Sequence, residues 1–215
     1  MPGFVPQRVL LYRITHYLNI PDIIKKGMFS ANNPARSINA NAVGIGNVSL
    51  IDKRGSKQVE VGPKGSLNDY VPFYLGRHSP MLLNIITGYN VPKKPQREIV
   101  YVCSELSRIN TLQLPFVFSD GHAYARFARF FDDPTDLAEL DWDVIRAKDW
   151  HRTEEDNDRQ RRKQAEFLIY QYVPVDAIIS IVVFDEQMAQ WIRPHLVEIG
   201  ANFTVHVLPD WYYTH

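Results

Sequence analysis

The chain has 215 residues, 45% of them apolar and 22% charged, with 24 basic side chains balanced by 24 acidic ones. This composition is typical of a soluble globular protein, and the length suits one domain with a full core or two small ones. The net charge of zero excludes an overall basic excess for nucleic acid, although it leaves a local basic patch open.

The cysteine content and the N-terminus indicate a cytoplasmic protein. The single cysteine, Cys103, lies in an apolar run at residues 99–103. One cysteine excludes an internal disulfide and suits a reducing cytosol, so we expect Cys103 to be a small buried side chain and not a nucleophile. Met1 is not followed by a signal peptide, and no apolar run approaches the ~20 residues that span a bilayer. We therefore expect no membrane contact.

In chain order, the first predicted elements are a strand at residues 9–14 and a short helix at residues 21–26. Pro21 suits the first position of this helix, and Gly27 suits its C-terminal cap. Residues 30–69 are rich in Asn, Gly and Ser, which predicts loops with one helical turn near residues 48–51. So long an irregular region in a compact domain is usually functional.

The middle of the chain alternates short strands and helices. Residues 70–74 are predicted to form a strand in which Pro72 indicates an edge or a bulge. A helix led by Pro80 follows at residues 80–86, and residues 98–104 form a β-branched, central strand. Asp120 and Gly121 predict a turn, and helices are expected at residues 122–127 and 137–147.

The C-terminal part is rich in predicted strands. Residues 151–164 form a charged, solvated loop, followed by strands at residues 165–171, 178–184 and 203–208. Asp185 can cap a helix that ends at Gly200 and that Pro194 kinks or divides. Because strands and helices do not alternate regularly, the pattern predicts a single α+β domain around a mixed or split sheet.

The common signatures of nucleotide and metal sites are absent from the sequence. There is no phosphate-binding loop, no Gly-x-Gly-x-x-Gly between a strand and a helix, and no Gly-x-Ser-x-Gly nucleophile elbow. Paired cysteines are missing, and the seven histidines do not have zinc-ligand spacing. Nucleotide binding must therefore use another architecture.

The end of the first predicted strand is a candidate binding site. His16 follows Tyr12, Arg13 and Thr15, and a histidine there can donate a hydrogen bond to a ribose hydroxyl. Thr15 or Asn19 can hold a neighbouring amide or phosphate. Alternatively, this is a strand-end turn in which His16 caps backbone groups.

Two charged residues far apart in the sequence are further candidates. Arg54 lies between loop segments, where a guanidinium can clamp a pyrophosphate or a reacting base; the alternative is a solvated turn paired with Asp52. Glu166 begins an apolar run after a charged loop. At the rim of a cleft it can bind a ribose hydroxyl or stabilise a developing cation; the alternative is an exposed residue paired with Arg162.

Two aromatic or small-residue stretches complete the candidate set. The aromatics of residues 69–74, next to a Pro-led helix, can sandwich a flat ring such as nicotinamide or adenine, or they can be hydrophobic core. Residues 119–123 form a turn that presents His122 at a predicted helix start, for anion or base contact or as a plain cap.

Together, in this order, these blocks resemble the DarT family, bacterial toxins that ADP-ribosylate DNA and are encoded beside a macrodomain antitoxin called DarG. The resemblance runs from Leu11 to about Tyr213 and includes residues 162–168 and the aromatic end at residues 209–213. It implies an ADP-ribosyltransferase-like split mixed β-sheet core with surrounding helices and an NAD⁺ cleft, over one domain of residues 1–215.

The resemblance also implies a reaction and its partners. ADP-ribose passes from NAD⁺, the co-substrate, to a base in single-stranded DNA, thymine in the better-known branch and guanine in a related one, without a metal. Glu166 and Arg54 are then the catalytic pair. The cofactor-binding residues are His16, Thr15, Asn19, Arg13, Tyr74 and Met81. The residues expected to face DNA are His122, Arg159, Arg161 and Arg162.

Two alternatives stay open at this point. The acidic run Glu154, Glu155, Asp156 and Asp158 would repel a DNA backbone, which leaves RNA, a protein or water as the acceptor on the same fold. A catalytically silent nucleic-acid-binding module is the other alternative. If Glu166 is a rim carboxylate, we expect Glu166→Ala to leave the domain folded.

Overall fold

The structure is a computed structural model that describes residues 4–39 and 42–213. Its strands are β1 (Leu10–His16), β2 (Met28–Phe29), β3 (Gln58–Val59), β4 (Gly65–Ser66), β5 (Tyr70–Tyr74), β6 (Ile99–Glu105), β7 (Phe116–Ser119), β8 (Phe130–Phe131), β9 (Glu166–Tyr170), β10 (Tyr172–Val173), β11 (Ser180–Val183) and β12 (Thr204–Val207). Its helices are α1 (Ile20–Lys26), α2 (Val48–Arg54), α3 (Pro80–Thr87), α4 (Leu106–Thr111), α5 (Trp142–Arg146), α6 (Arg159–Lys163) and α7 (Glu186–Glu198).

Eight strands form one mixed sheet in the order β12-β11-β6-β1-β5-β9-β7-β8. The β11–β12 pair is parallel, and the other pairs in this sheet are antiparallel. Helices α1 and α7 bury apolar side chains with one face of the sheet. Helix α3 and the aromatic C-terminal segment cover the other face, which includes Cys103. The predicted α+β class and mixed, split sheet are confirmed.

The sheet opens between β1 and β5. Strand β1 pairs with β6 along its whole length, but its pairing with β5 consists of Tyr12 opposite Tyr74. Strand β5 pairs in turn with β9, where Tyr74 lies opposite Glu166. Directly opposed residues in paired strands point to the same face. Tyr12, Tyr74 and Glu166 therefore form a row across the opening.

Pro72 lies beside this opening and not on an edge strand. The expectation of an edge strand is wrong, because β5 lies between β1 and β9. The sheet accommodates a residue without a backbone N–H because β1 and β5 separate here. The Pro72 carbonyl accepts a hydrogen bond from Arg13 Nη1 at 2.8 Å, which replaces a bond of the strand ladder.

Most predicted strands and helices are confirmed, and the differences lie in the long loops. Helix α2 is longer than the one turn expected. Residues 122–127 are turns and not a helix, because the amides of His122 and Ala123 donate to other segments, Arg161 O at 2.9 Å and Glu166 Oε1 at 2.9 Å. The helix expected at residues 137–147 is divided into a 3₁₀ turn, Pro134–Glu139, and α5.

Three remaining expectations concern Pro194, Cys103 and the membrane. Pro194 lies inside α7 without dividing it. Cys103 is buried as expected, and burial raises the pKa of its thiol to about 12. Across the described chain, we find no helix with the length and apolar character that a bilayer crossing requires.

Candidate active site

Glu166 and Arg54 form a two-point ion pair beside the opening in the sheet. Glu166 Oε1 lies 3.2 Å from Arg54 Nη1, and Oε2 lies 2.9 Å from Nη2. The amide of Ala123 also donates to Oε1, at 2.9 Å. Glu166 is 3% exposed, so the expectation of an exposed rim carboxylate is wrong. Its partner is Arg54 and not Arg162, and Arg54 does not pair with Asp52.

Both members of the pair carry their charge. Burial works to raise the pKa of Glu166, but the charge of Arg54 and the donors Arg54 and Ala123 hold it below its usual range. Burial likewise works to lower the pKa of Arg54, yet Glu166 raises it overall. The site thus holds a desolvated carboxylate fixed by three N–H donors, which is suited to stabilising positive charge.

Helix α2 brings Arg54 to this position. Asn47 caps the helix, with its side-chain oxygen accepting from the Leu50 amide at 3.1 Å, and its Nδ2 donates to Asn90 O at 3.0 Å. Asn68 Nδ2 donates to Ile51 O at 3.1 Å. Arg54 is the last residue of a helix anchored at both ends, so its guanidinium is positioned without any nearby sequence partner.

The loop after β7 completes the setting of Glu166. Ser119 Oγ accepts from the Glu166 amide at 3.3 Å and donates to Gly121 O at 2.7 Å. A Cβ on Gly121 would lie 2.5 Å from Arg161 Nη1, so glycine permits this close approach. The Ala123 amide was missed by sequence reasoning, because a backbone donor has no residue-type signal.

His122 lies in the same loop, beside the pair. Burial lowers the pKa of its ring, and Arg54 lowers it further while Glu166 works in the opposite direction. The ring is therefore neutral at pH 7. The structure brings His122 next to Glu166 and Arg54, although not at the helix start that the sequence predicts.

Tyr74 and Met81 form a wall next to the carboxylate. The Tyr74 hydroxyl lies 3.4 Å from Met81 Sδ. Burial, reinforced by the Glu166 charge, raises the pKa of Tyr74, so its hydroxyl stays protonated. Met81 is fixed in the first turn of α3, which Ser79 caps through the Leu82 amide at 3.2 Å. A flat, apolar ring fits such a wall.

A cluster of guanidiniums lies at the opening. Burial, together with repulsion from Arg36 and Arg54, lowers the pKa of Arg13 to about 10. No carboxylate in the described part of the chain lies within ion-pair distance of Arg13. Arg13, Arg36 and Arg54 carry three positive charges, and Glu166 neutralises one of them. The remaining positive charge suits an anionic group. Arg36 was missed by sequence reasoning, since it lies in an Asn- and Ser-rich stretch without a motif.

His16, Thr15 and Asn19 lie together at the other end of β1. His16 is four residues beyond Tyr12, ~13 Å along the strand. Its Nδ1 accepts from the Leu18 amide at 3.3 Å, which is the backbone contact of the alternative interpretation, and Nε2 lies 3.3 Å from Glu98 Oε2. Burial lowers the pKa of the His16 ring, with Glu98 opposing.

Asn19 fixes the segment that follows the undescribed residues 40–41. Its Nδ2 donates to Thr15 Oγ1 and to Val43 O, both at 2.9 Å, and its oxygen accepts from the Val43 amide at 2.7 Å. This two-way amide contact ties residues 42–45 to the end of β1.

The arginines expected to face DNA are largely engaged within the protein. Arg161 bonds Asp120 Oδ1 at 2.7 Å and Asp158 Oδ1 at 2.8 Å. Arg162 contacts Asp156 and Asp141, while Arg159 donates to Asp149 O at 3.1 Å. The acidic run at residues 154–158 therefore supplies ion-pair partners, and half of its repulsive charge is neutralised internally. In the described residues we find no group of three or more His, Cys, Asp or Glu that could hold a metal ion.

Known proteins resemble this chain over almost its whole length. Residues 12–213 match the family described as ssDNA thymidine ADP-ribosyltransferase, DarT. A DNA ADP-ribosyl transferase from Escherichia coli O127:H6 is 35% identical over 210 residues, 97% of this chain and 95% of the relative. Thermus sp. 2.9 DarT in complex with ADP-ribosylated ssDNA superimposes with a TM-score of 0.88 at 30% identity, covering 99% and 100% of the two chains. Its complex with NAD⁺ gives 0.83 at 31% identity, covering 98% and 100%.

Proposed function

The chain belongs to the DarT family of single-stranded DNA thymidine ADP-ribosyltransferases, and we propose from that premise that it transfers ADP-ribose from NAD⁺ to a base in single-stranded DNA. Thymine is the expected base, with guanine as the alternative. The observation that carries this proposal is the buried, ionised Glu166 fixed by Arg54 beside a split sheet.

The first chemical step is cleavage of the glycosidic bond of NAD⁺. The bonding electron pair leaves with nicotinamide, which departs neutral, and the anomeric carbon becomes oxocarbenium-like. Glu166 stabilises this positive charge and orients the ribose hydroxyl. Because Glu166 is already ionised and desolvated, the site does not need to reorganise as the charge develops.

The second step is attack by the base. A ring nitrogen bonds to the anomeric carbon and loses its proton, which passes to Glu166 once the ribose charge is quenched. Arg54 remains protonated, so its role is electrostatic: it favours ionisation of the base and holds the carboxylate in place. Neutral His122 lies beside both groups and contacts the incoming base.

NAD⁺ lies across the opening in this proposal. Tyr74 and Met81 receive the nicotinamide ring, and Arg13 with Arg36 neutralises the pyrophosphate. His16, Thr15 and Asn19 hold the second ribose at the far end of β1. Tyr12 and His16 are ~13 Å apart along β1. In the proposed orientation, NAD⁺ covers this distance between Glu166 and the far end of the strand.

A single-stranded acceptor is supported by the chemistry, because a paired base hides its Watson–Crick edge. Of the three arginines expected to face DNA, Arg159 contacts a backbone carbonyl and keeps its charge for a phosphate. Arg161 and Arg162 serve mainly to hold the loop that presents His122 and Ala123.

The proposal extends to the cellular setting, with membership in the family as its support. The protein is the toxin of a bacterial toxin–antitoxin system, its partner is a macrodomain antitoxin of the DarG type, and it acts in the cytoplasm. Residues 1–215 form one ADP-ribosyltransferase domain, which is supported by a sheet that contains both β1 and β12.

The test is the intact mass of single-stranded oligonucleotides after incubation with NAD⁺ and the protein, with Glu166→Gln alongside. We expect one ADP-ribose per modified base, lost in the variant, and fragmentation names the base. If no oligonucleotide of any base composition gains this mass, the proposal fails. Nicotinamide release without a DNA adduct would instead indicate RNA, a protein or water as the acceptor.

A further inference from the structure

The loop between β7 and β8 carries an exposed aromatic side chain close to Glu166. Phe127 is 78% exposed, and the guanidinium carbon of Arg126 lies 5.4 Å from its ring centroid. The same loop donates the Ala123 amide to Glu166 Oε1 at 2.9 Å. Phe127 lies four positions after Ala123, a reach of at most ~14 Å, which corresponds to a few nucleotides.

A second Arg–aromatic pair in this region is built differently. Arg129 lies over the Phe131 ring at 5.3 Å, but Arg129 also pairs with Asp120 and Glu139, and Phe131 stacks on the buried Phe118. Arg126 has no carboxylate partner among the described residues, and Phe127 has no apolar cover. Arg129 and Phe131 therefore stabilise the fold, whereas Arg126 and Phe127 present a free cation and a free ring face.

A further basic residue, Lys57, contacts the loop that carries this exposed pair. Lys57 Nζ donates to Ala125 O at 3.3 Å, which holds the loop against the segment that follows α2. Lys57 forms no ion pair with a described carboxylate. An aromatic face beside unpaired cations is the combination that holds single strands, since bases stack and phosphates pair with the cations.

We propose that Phe127, flanked by Arg126, is a stacking platform for an unpaired base next to the target base of the DNA acceptor. This inference rests on the proposed DNA acceptor and adds a residue that fixes sequence register, outside the catalytic pair. The platform accepts any base because every base has a flat face, so it positions the strand more than it selects sequence.

The experiment compares Phe127→Ala with Phe4→Ala. Phe4 is a matched control: it is 74% exposed, and Arg146 lies over its ring at 5.8 Å, but it belongs to the N-terminal segment. We expect Phe127→Ala to raise the KM for a single-stranded oligonucleotide about tenfold, within the 5- to 150-fold range of base stacking. Phe4→Ala should match the wild type, and Phe127→Trp should restore the wild-type KM.

An abasic scan of the oligonucleotide then separates stacking from a structural effect. With the wild type, one abasic position beside the target should raise KM to the same extent as Phe127→Ala. Combining that position with Phe127→Ala should add no further loss. The platform is refuted if the increases in KM from the abasic position and from Phe127→Ala add in full. It is also refuted if the wild type modifies DNA and Phe127→Ala has the same KM as Phe4→Ala.

Two further outcomes remain distinguishable. A wild type that modifies no oligonucleotide refutes the proposed function, whatever the variant does. If Phe127→Ala also weakens NAD⁺ binding, the substitution has moved the loop. The variant Phe127→Leu then tests the platform, because leucine keeps the apolar bulk of the side chain without its aromatic face. A KM for Phe127→Leu equal to that of the wild type would overturn the platform; a KM raised about tenfold supports it.

Discussion

Arg54 and Glu166 are 112 residues apart in the chain, yet Arg54 Nη1 lies 3.2 Å from Glu166 Oε1 and Arg54 Nη2 lies 2.9 Å from Oε2. Arg54 ends a short helix in an irregular region, while Glu166 begins a central strand. The pair therefore joins helix α2 to the central sheet. A substitution at either residue should affect both catalysis and stability.

Glu166→Gln keeps the shape of the side chain and an acceptor for the Ala123 amide but removes the charge. We expect kcat to fall at least 10²- to 10³-fold, because an electrostatic stabiliser of the developing cation is lost. Initial rates of adduct formation measure this, and thermal unfolding monitors the fold. A folded variant with kcat within tenfold of the wild type would remove Glu166 from the proposed role.

Glu166→Ala should be destabilised, contrary to the expectation for a rim carboxylate. The Arg54 side chain is 12% exposed, and removing one partner of a buried ion pair costs about 3–5 kcal/mol. Denaturant unfolding measures the loss. The double variant Arg54→Met/Glu166→Leu should recover most of it, since no unpaired charge remains; an equally unstable double variant would contradict this explanation.

Arg54→Lys preserves the charge and removes the planar fork. A lysine can contact one carboxylate oxygen, so Glu166 is no longer fixed at both oxygens. We expect kcat to decrease about 10- to 100-fold, the equivalent of one hydrogen bond to a charged group. The measurement is steady-state kinetics with NAD⁺ and oligonucleotide varied separately. Wild-type kcat in this variant would mean that charge alone is required.

Asn19→Ala should weaken NAD⁺ binding more than it weakens the fold. The substitution removes three hydrogen bonds that tie residues 42–45 to β1. We expect the Kd for NAD⁺, measured by calorimetry, to rise about tenfold. Asn110→Ala, an exposed position in α4, is the control and should leave Kd unchanged. A Kd equal to that of the control would place residues 42–45 outside the NAD⁺ site.

Gly121→Ala tests the close approach behind His122. An added Cβ would lie 2.5 Å from Arg161 Nη1 and 2.7 Å from Arg161 O, so the loop must shift. Overpacking of this kind costs about 1–3 kcal/mol, and the shift moves the Ala123 amide away from Glu166. Thermal unfolding and activity should both decline. Gly44→Ala has open space around its Cβ and should keep the wild-type Tm.

Lys163 should give the protein a pH-dependent stability. The side chain donates to Ile145 O at 2.8 Å and Ala147 O at 2.6 Å, and burial, with repulsion from Arg77 and Arg159, lowers its pKa to about 7. Between about pH 7 and the ordinary lysine value near 10.5, the unfolded chain binds a proton that the folded chain lacks. The contribution of Lys163 to the free energy of unfolding therefore rises with pH between about pH 7 and 10.5 and does not change with pH below about pH 7.

The measurement is the free energy of unfolding of wild type and Lys163→Met between pH 6 and 9. The difference between the two should change by up to about 1.4 kcal/mol per pH unit above pH 7. Lys25→Met, at an exposed lysine, should retain the wild-type slope. Parallel curves for wild type and Lys163→Met would show that Lys163 keeps its proton when folded.

Local sequence signals determined most of the elements. Pro21 with Gly27, Pro80 and Asp185 marked helix ends correctly, because capping groups act within a few residues of the backbone they satisfy. Apolar, β-branched runs located β1, β6, β9 and β11, since a central strand is buried on both faces. The order and spacing of the candidate blocks were enough to indicate the family that residues 12–213 match.

Tertiary structure alone decided the partners. The local sequence offered Asp52 for Arg54 and Arg162 for Glu166, both near neighbours, and only the family resemblance named Arg54 and Glu166 together. Strand register and the placement of α2 bring these two residues into contact. Residues 122–127 follow a helical pattern but donate amides to Arg161 and Glu166 instead. Propensity and capping act over about four residues, while burial, register and a backbone donor such as Ala123 depend on chain segments that meet only after folding.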